Sequence, residues 1–328
     1  MDVSIIICTR DRAEHLRQTL ESLNRLVVPV NVSAELIIVD NGSRDASAAI
    51  AAAFLMQNLV LRVVQEGRAG KSWAYNTGIA AAVGNILLFT DDDVRVPVNW
   101  IEVMCQPLWE GTADAVAGAV VLAPHLERTW MEPVHRYWLA ATDPNVPEKS
   151  RLMVGANMAF RRAVLSKVPE FDLALGPGSL GFSDDTLFSR QLWTAGFKII
   201  GLENEAVEHH FQGERLTRVS LRDAARKRGA TKAYIAHHWE HRQIIMPAAR
   251  MVHKWLQTAL WHRRHPQLAA ENEGLPTELM YNLEAYYFYR HYLSERRKPR
   301  LYEKHGLTKI AEHPPTKRSF HDTSRTHS

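Results

Sequence analysis

Cysteine is nearly missing from this chain: among 328 residues there are two, Cys8 and Cys105. Neither has a partner at metal-ligand spacing, so a disulfide scaffold and a thiolate metal cluster are excluded. Both lie in apolar runs and read as reduced core thiols. Long hydrophobic runs are missing too. The first one, ending at Cys8, has no basic flank and is too short for a secretion signal or a membrane span, so a cytoplasmic protein is expected. No internal repeat is visible.

What is present is a globular composition, 46% hydrophobic and 23% charged, enough for one large domain or a domain with an appendage. Its charge is unevenly placed. Gly213–Ser328 carries 22 Lys and Arg against 11 Asp and Glu, net +11, while the residues before it carry 18 against 25, net −7. A basic rear suits an anionic partner, a membrane surface or nucleic acid, unless its cations only solvate helix faces. An acidic front can hold a metal ion.

From Val3 to Val121, short apolar runs alternate with helical patterns, as in repeated βαβ units on a mostly parallel sheet. The expected strands are Val3–Cys8, Leu36–Val39, Leu59–Val64, Ile86–Thr90 and Ala115–Val121, all without polar alternation, as strands covered on both faces require. Asp11 and Glu14 form a capping-box variant before a first helix whose Leu16, Leu20 and Leu23 make a core stripe. Pro124–Ser150 is looser and reads as an excursion over the acceptor side. Ala156–Phe160 then reads as a strand, Arg162–Val168 as a short helix, Gly176–Ser183 as a glycine-rich loop, Asp184–Ala195 as a helix and Lys198–Leu202 as a strand. Beyond Thr217 the pattern is helical, and His313–Ser328 is a polar tail expected to be disordered.

Ile86–Thr90 runs directly into Asp91-Asp92-Asp93. In an open parallel sheet ligands bind beyond the carboxyl ends of the strands. Three adjacent carboxylates repel one another, so a Mg or Mn ion accounts for them, the alternative being an acidic turn before the helix after Pro97. Two other strands end at Thr9-Arg10-Asp11 and Asp40-Asn41-Gly42-Ser43. Asp40 can accept hydrogen bonds from a base or ribose edge; alone, Asn-Gly would be an ordinary turn.

At these positions the chain resembles the family 2 glycosyltransferases. The resemblance runs in order through Ser4–Arg10, Val39–Ser43, Gly70-Lys71-Ser72 with Asn76–Ile79, Asp91–Asp93, Gly155–Arg161 and Ser183–Thr186, about two thirds of the chain. It implies a GT-A fold, that is a Rossmann-like α/β sheet flanked by helices, over residues 1–215. Nucleotide-sugar binding would fall in 1–121 and the acceptor side in 122–215, followed by a helical region at 216–312 and a tail at 313–328. It also implies an inverting, metal-dependent transferase with a nucleotide-sugar donor, UDP-linked by preference, a saccharide or lipid-linked acceptor, and a role in cell-surface polysaccharide or glycolipid assembly.

The resemblance also implies roles for individual residues. Thr9, Arg10, Asp40, Lys71, Asn76, Asp91 and Asp92 would bind the donor: Thr9 and Asp40 at the nucleoside, Asp91 at the ribose, Lys71 near the diphosphate. Asp93, with Asp91, would hold Mn2+ or Mg2+, and His209 or His210 would complete that site. Asp185 would be the base toward the acceptor hydroxyl, with Asp184 the other candidate or a helix cap. The sequence departs from the family at Tyr75, where many members have Arg, and at Leu216, where processive members have Trp after Gln-x-x-Arg. One or few sugars per acceptor are expected.

Between Met246 and Arg264 an apolar helical face is flanked by Arg250, Lys254, Arg263 and Arg264. It suits an interfacial helix on the inner face of the plasma membrane, or a helix packed on the domain with solvated charges. Tyr286–Tyr289 would serve packing or a homodimer contact. A haloacid-dehalogenase-type phosphatase fits poorly, because Arg95 stands where its motif needs Thr or Val. A nucleotide or RNA binder lacks a stacking motif and leaves Asp185 without use, so no nucleic acid is expected.

Overall fold

The computed structural model describes residues 2–142, 146–147, 151–203, 206–265 and 272–310, so the expected tail at 313–328 lies outside the described residues. The first half alternates as its periodicity requires: β1 (Val3–Thr9), α1 (Ala13–Leu23), β2 (Ala34–Asp40), α2 (Ser47–Ala53), β3 (Val60–Gln65), α3 (Lys71–Ala81) and β4 (Ile86–Asp91). After β5 (Val94–Arg95) and α4 (Trp100–Trp109) come β6 (Ala115–Ala117), β7 (Val120–Leu122), α5 (Pro133–Trp138) and β8 (Asn157–Arg161). Then follow α6 (Asp184–Thr194), β9 (Ile199–Gly201), β10 (Val207–His209), α7 (Arg218–His238), α8 (Pro247–Arg264) and α9 (Thr277–Glu295).

A seven-stranded sheet has the order β3-β2-β1-β4-β8-β6-β9, parallel except where β8 runs antiparallel to β4 and β6. Strand β1 alternates its side chains between two filled layers. Ile5 and Ile7 face Leu16, Leu20 and Trp100, whereas Ile6 faces Ala74, Tyr75 and Phe188. The chain leaves β1 toward β2 and β3, then returns to β4 on the other side, so the ends of β1 and β4 flank the point where strand order reverses.

Four details differ from the sequence expectation. Strand β3 is not covered on both faces: it is the sheet edge, and Val60 is 57% exposed. Helix α1 is not capped by Asp11 and Glu14. Its first amides are instead held by the next loop, Arg12 N–H by Ser47 Oγ at 3.0 Å and Ala13 N–H by Asp45 Oδ2 at 3.0 Å, while Glu14 pairs with Arg17. The stretch after β8 is a 3-10 turn, Arg162–Ser166. Past α9 the chain is not helical, and Tyr302 and Lys309 form a β-bridge.

The largest departure is at Ala115–Val121, expected as one strand. It is two strands in two sheets, broken at Gly118. The Asn157 amide fills the place a side chain would take: a Cβ on Gly118 would lie 2.2 Å from Asn157 Nδ2. Asn157 Nδ2 donates to the Ala119 carbonyl at 2.8 Å, and its Oδ1 accepts from Trp100 Nε1 at 2.9 Å. The chain thereby swings into a three-stranded sheet, β5-β10-β7.

The C-terminal helices are tied to the sheet portion. Asp172 Oδ2 accepts from the Tyr234 and Tyr302 hydroxyls, each at 2.7 Å. Helices α7 and α9 cross at Gly229, where a Cβ would stand 2.6 Å from the Glu284 carbonyl. No helix among the described residues is long and apolar enough to cross a membrane.

Candidate active site

Parallel register sets the floor of the site. Thr9 pairs with Asp40 across β1 and β2, and Cys8 with Asp91 across β1 and β4, so three strand ends present polar groups side by side. Thr9 Oγ1 donates to Asp92 Oδ2 at 2.7 Å, and Thr19 Oγ1 donates to the Asp92 carbonyl at 2.7 Å. Arg12, from the loop after β1, pairs with Asp93 and stands 3.6 Å from Asp92. Lys71, the first residue of α3, donates to Asp91 Oδ1 at 2.5 Å.

The second sheet brings in a histidine. Strand β10 pairs His209 with Val94, just past the aspartates, and His209 Nε2 lies 3.2 Å from Asp93 Oδ1. His209 Nδ1 is 3.0 Å from the Leu139 carbonyl, which can only accept, so Nδ1 carries a proton and Nε2, turned to Asp93, is the nitrogen placed to meet a metal ion. Ligand atoms of Asp91, Asp93 and His209 lie within 4.8 Å of one another. Two carboxylate oxygens and an oriented imidazole suit Mn2+ or Mg2+. The alternation of β10 turns His210 outward, to Glu208 Oε2 at 3.0 Å.

Electrostatics separates the aspartates. Burial, with Asp93 beside it, pushes the Asp92 carboxyl up to about 7. Burial would push Asp93 up as well, yet His209 and Arg12 outweigh it and hold Asp93 well below the usual carboxylate range.

Across the crevice, α6 opens with Asp184 and Asp185. The Gly155 N–H donates to Asp185 Oδ2 at 3.0 Å, and Thr186 N–H to Oδ1 at 2.6 Å. Gly155 must be glycine, because a Cβ there would be 2.4 Å from the Tyr75 hydroxyl, which is buried without a hydrogen-bond partner among the described residues. Burial and the neighbouring Asp185 raise Asp184 to about 7, and burial raises Asp185 also. Buried carboxyls with raised affinity for protons, in a cleft, are the chemistry of an acid–base site.

The family model for Glycosyl transferase family 2 matches residues 4–168, half of the chain. The chain belongs to glycosyltransferase family 2. It is 33% identical over 117 residues to the glycosyltransferase GlyG of Streptococcus pneumoniae serotype 4, a segment covering 35% of this chain and 38% of GlyG. It is 26% identical over 145 residues to the cholesterol galactosyltransferase of Borreliella burgdorferi, covering 43% of this chain and 39% of that one. The chain thus spans about two fifths of the length of these relatives. The GT-A fold recurs in the mannosyltransferase PcManGT of Pyrobaculum calidifontis, solved with GDP-Man and Mn2+: TM-score 0.52, 19% identity, 88% of this chain and 69% of that one. It recurs in Staphylococcus aureus TarS with UDP: TM-score 0.51, 15% identity, 90% of each chain.

In this family 2 chain most of the residues singled out in the sequence meet in one cavity of about 520 Å³. Thr9, Arg10, Lys71 and Asp91–Asp93 line it together with Asp184, Asp185 and His209. Three others lie elsewhere. Asn76 clasps the backbone of Phe171 with both ends of its amide, at 3.0 and 2.9 Å. Asp40 accepts from Ser43 N–H at 3.1 Å, and it is the next residue, Asn41, that reaches the cavity wall. His210 faces Glu208 and the ring of His125. Arg12 and Gly155 escaped sequence reasoning, since their partners are set by folding; only the charge of Arg12, next to the first strand end, could have signalled it.

Proposed function

We propose that the protein is an inverting, divalent-metal-dependent glycosyltransferase that moves a sugar from a nucleoside diphosphate donor, UDP-linked by preference, to a hydroxyl of a saccharide or lipid-linked acceptor. The observation that carries this is the meeting of the Asp91–Asp93–His209 set with Asp185 in one cavity at the strand ends. PcManGT, with the same fold, was solved with a nucleotide-sugar and Mn2+, and TarS with UDP and with UDP-GlcNAc.

Asp91, Asp93 and His209 would hold Mn2+ or Mg2+, which supplies countercharge to the departing diphosphate. Lys71, at the rim beside Asp91, adds a second cation for it. Asp185 takes the proton of the acceptor hydroxyl as the new C–O bond forms and the bond from the anomeric carbon to phosphate breaks. Attack opposite the leaving group inverts that carbon. The Gly155 and Thr186 amides fix the Asp185 carboxylate for this step.

A setting in cell-surface polysaccharide or glycolipid assembly, against an anionic membrane surface, is supported by α8. Val252, Trp255, Leu256 and Leu260 are 46–56% exposed along one stripe. No Asp or Glu occurs from His241 to Ala270, while five Lys and Arg do.

The test is calorimetric titration with UDP, GDP and dTDP, with and without Mn2+, on the wild type and Asp93→Ala. Metal-dependent binding of one nucleotide, lost in the variant, is the expected result and names the donor class. Binding of none would overturn the reading.

A further inference from the structure

A second cavity, of about 830 Å³, opens behind Asp185. It shares Phe182, Ser183, Asp185 and Arg215 with the first, so the carboxylate stands in the wall between them. A volume of this size suits a ligand of one or two rings rather than a water channel. Its lining comes from α5, α6, α7 and α9 and from the connecting segments that carry Arg151, Arg215 and Arg242, and includes no part of the metal-binding set.

The charge of this wall is not balanced. Six Lys and Arg line it against three carboxylates, one of them Asp185. The other two carboxylates are committed: Glu240 pairs with Arg190 at 2.7 Å, and Glu284 with Arg228 at 3.0 Å and with Lys232. Arg151 turns to Glu203 at 3.0 Å. Arg215 and Arg242 remain. Among the described residues Arg215 stacks over Phe211, at 4.7 Å, and faces the charge of Asp93 and Asp91 across the shared wall, whereas the exposed Arg242 has no side-chain partner. Burial lowers the proton affinity of Arg215 and the Asp93 charge opposes that, so Arg215 belongs in part to the first cavity and Arg242 is the cation of this wall left uncommitted.

The rest of the wall is aromatic. Tyr137, Trp138 and Phe182 surround the Arg228 guanidinium at 5.0 to 5.6 Å and turn their remaining ring surface to the cavity. Such rings take the apolar face of a sugar or a hydrocarbon chain. The wall therefore demands a ligand with a strongly anionic group joined to a ring or chain. A cationic surplus of three in this wall, with Arg242 uncommitted, matches the double charge of a phosphate better than the single charge of a carboxylate.

We propose that this cavity is the acceptor site and that the acceptor carries a phosphate ester, held by Arg242, with its nucleophilic hydroxyl at Asp185. The assignment rests on the transferase reading above and adds the acceptor's chemical class to it. A lipid-linked sugar phosphate and a soluble sugar phosphate share this chemistry.

The test uses the full chain saturated with UDP and Mn2+, titrated with geranyl phosphate, glucose 1-phosphate, inorganic phosphate and uncharged octyl glucoside, with Trp138 in the wall as a fluorescent reporter. At least one ester should bind about tenfold or more tighter than octyl glucoside. In Arg242→Gln that preference should shrink to within about threefold, and Arg242→Lys should restore part of it. The tighter ester identifies the lipid-linked or the soluble source. Equal affinity for esters and the glucoside overturns the proposal, as does a preference that survives Arg242→Gln, or inorganic phosphate binding as tightly as the esters. The same titrations report nucleotide binding: UDP, or GDP or dTDP in its place, bound without ester preference sinks this proposal alone, whereas binding of none of the three sinks the transferase reading as well.

Discussion

His209 and His210 are adjacent, chemically identical, and placed in opposite environments. The first has one nitrogen fixed by the Leu139 carbonyl and the other turned to Asp93; the second is spent on an exposed carboxylate. His209→Ala should therefore weaken Mn2+ binding on the order of tenfold or more, by analogy with the loss of groups that orient a metal site, while His210→Ala leaves it within about twofold. Manganese paramagnetic resonance reads both, and equal losses would refute the assignment. The Asp184–Asp185 pair gives a pH signature. Buried side by side, they share a proton whose loss lies near 7, the value for Asp184, so below that pH Asp185 is ionised only part of the time. A base works only when ionised, so kcat/KM should rise with pH up to about neutrality. In Asp184→Asn one carboxyl remains, without a like charge beside it, and the rise should finish at lower pH; a profile that does not move would argue against the pair. The aspartates were legible in the sequence because Asp91–Asp93 and Asp184-Asp185 are contiguous and sit at an element boundary. Which histidine faces them was not, since it depends on strand alternation and on a carbonyl 70 positions away. Asn76 misled for the same reason: its clasp on Phe171 spans 95 positions.

Gly118 and Asn157 together decide where β10, and with it His209, can lie. Apolar periodicity over Ala115–Val121 shows a strand but says nothing of a turn between sheets, because the break is made by a side chain from β8 filling the space over a glycine. Gly118→Ala puts a methyl into that amide and should cost about 1–3 kcal/mol as overpacking. Asn157→Ala strips Trp100 Nε1 of its buried partner and leaves the Ala119 carbonyl with the Val207 N–H alone, and should cost about 1–3 kcal/mol. Urea titration measures both. Because the pivot aims β10, both variants should also lose Mn2+ affinity, whereas a core truncation of similar cost at α1, such as Leu20→Ala, should not. The regular βαβ half needed no such information: β1, β2 and β4 follow directly from unbroken apolar runs, and only the edge position of β3, a matter of strand order, was hidden.

Across the whole molecule, the −7 front and +11 rear resolve into a site that gathers carboxylates and a helical region whose cations are unevenly spent. On α7 many are paired, as Arg226 and Lys227 are with Asp223, and Arg228 is with Glu284. On α8 a different pattern appears. Only Pro247 and Trp261 are buried there, so the helix is held by one side and leaves Val252, Trp255, Leu256 and Leu260 outward with Arg250, Arg263 and Arg264 exposed around them. A helix that merely solvated its surface would not spend a tryptophan and two leucines on water. Arg242, which precedes this helix in the chain, lines the cavity proposed above for the acceptor. If the surface that receives α8 is an anionic bilayer, the protein should sediment with vesicles rich in phosphatidylglycerol and fail to do so with phosphatidylcholine alone. Raised salt should weaken the binding, since the charges act within a Debye length. Arg263→Gln with Arg264→Gln should lower partitioning by about 1 kcal/mol per charge, and Trp255→Ser should lower it at every salt concentration. Nucleotide binding should be untouched in both variants, because α8 contributes nothing to the Asp91–Asp93–His209 cavity. Binding to neutral and anionic vesicles alike would leave the apolar stripe as the cause and remove the cations from the argument, and binding to neither would assign the stripe to a protein partner instead.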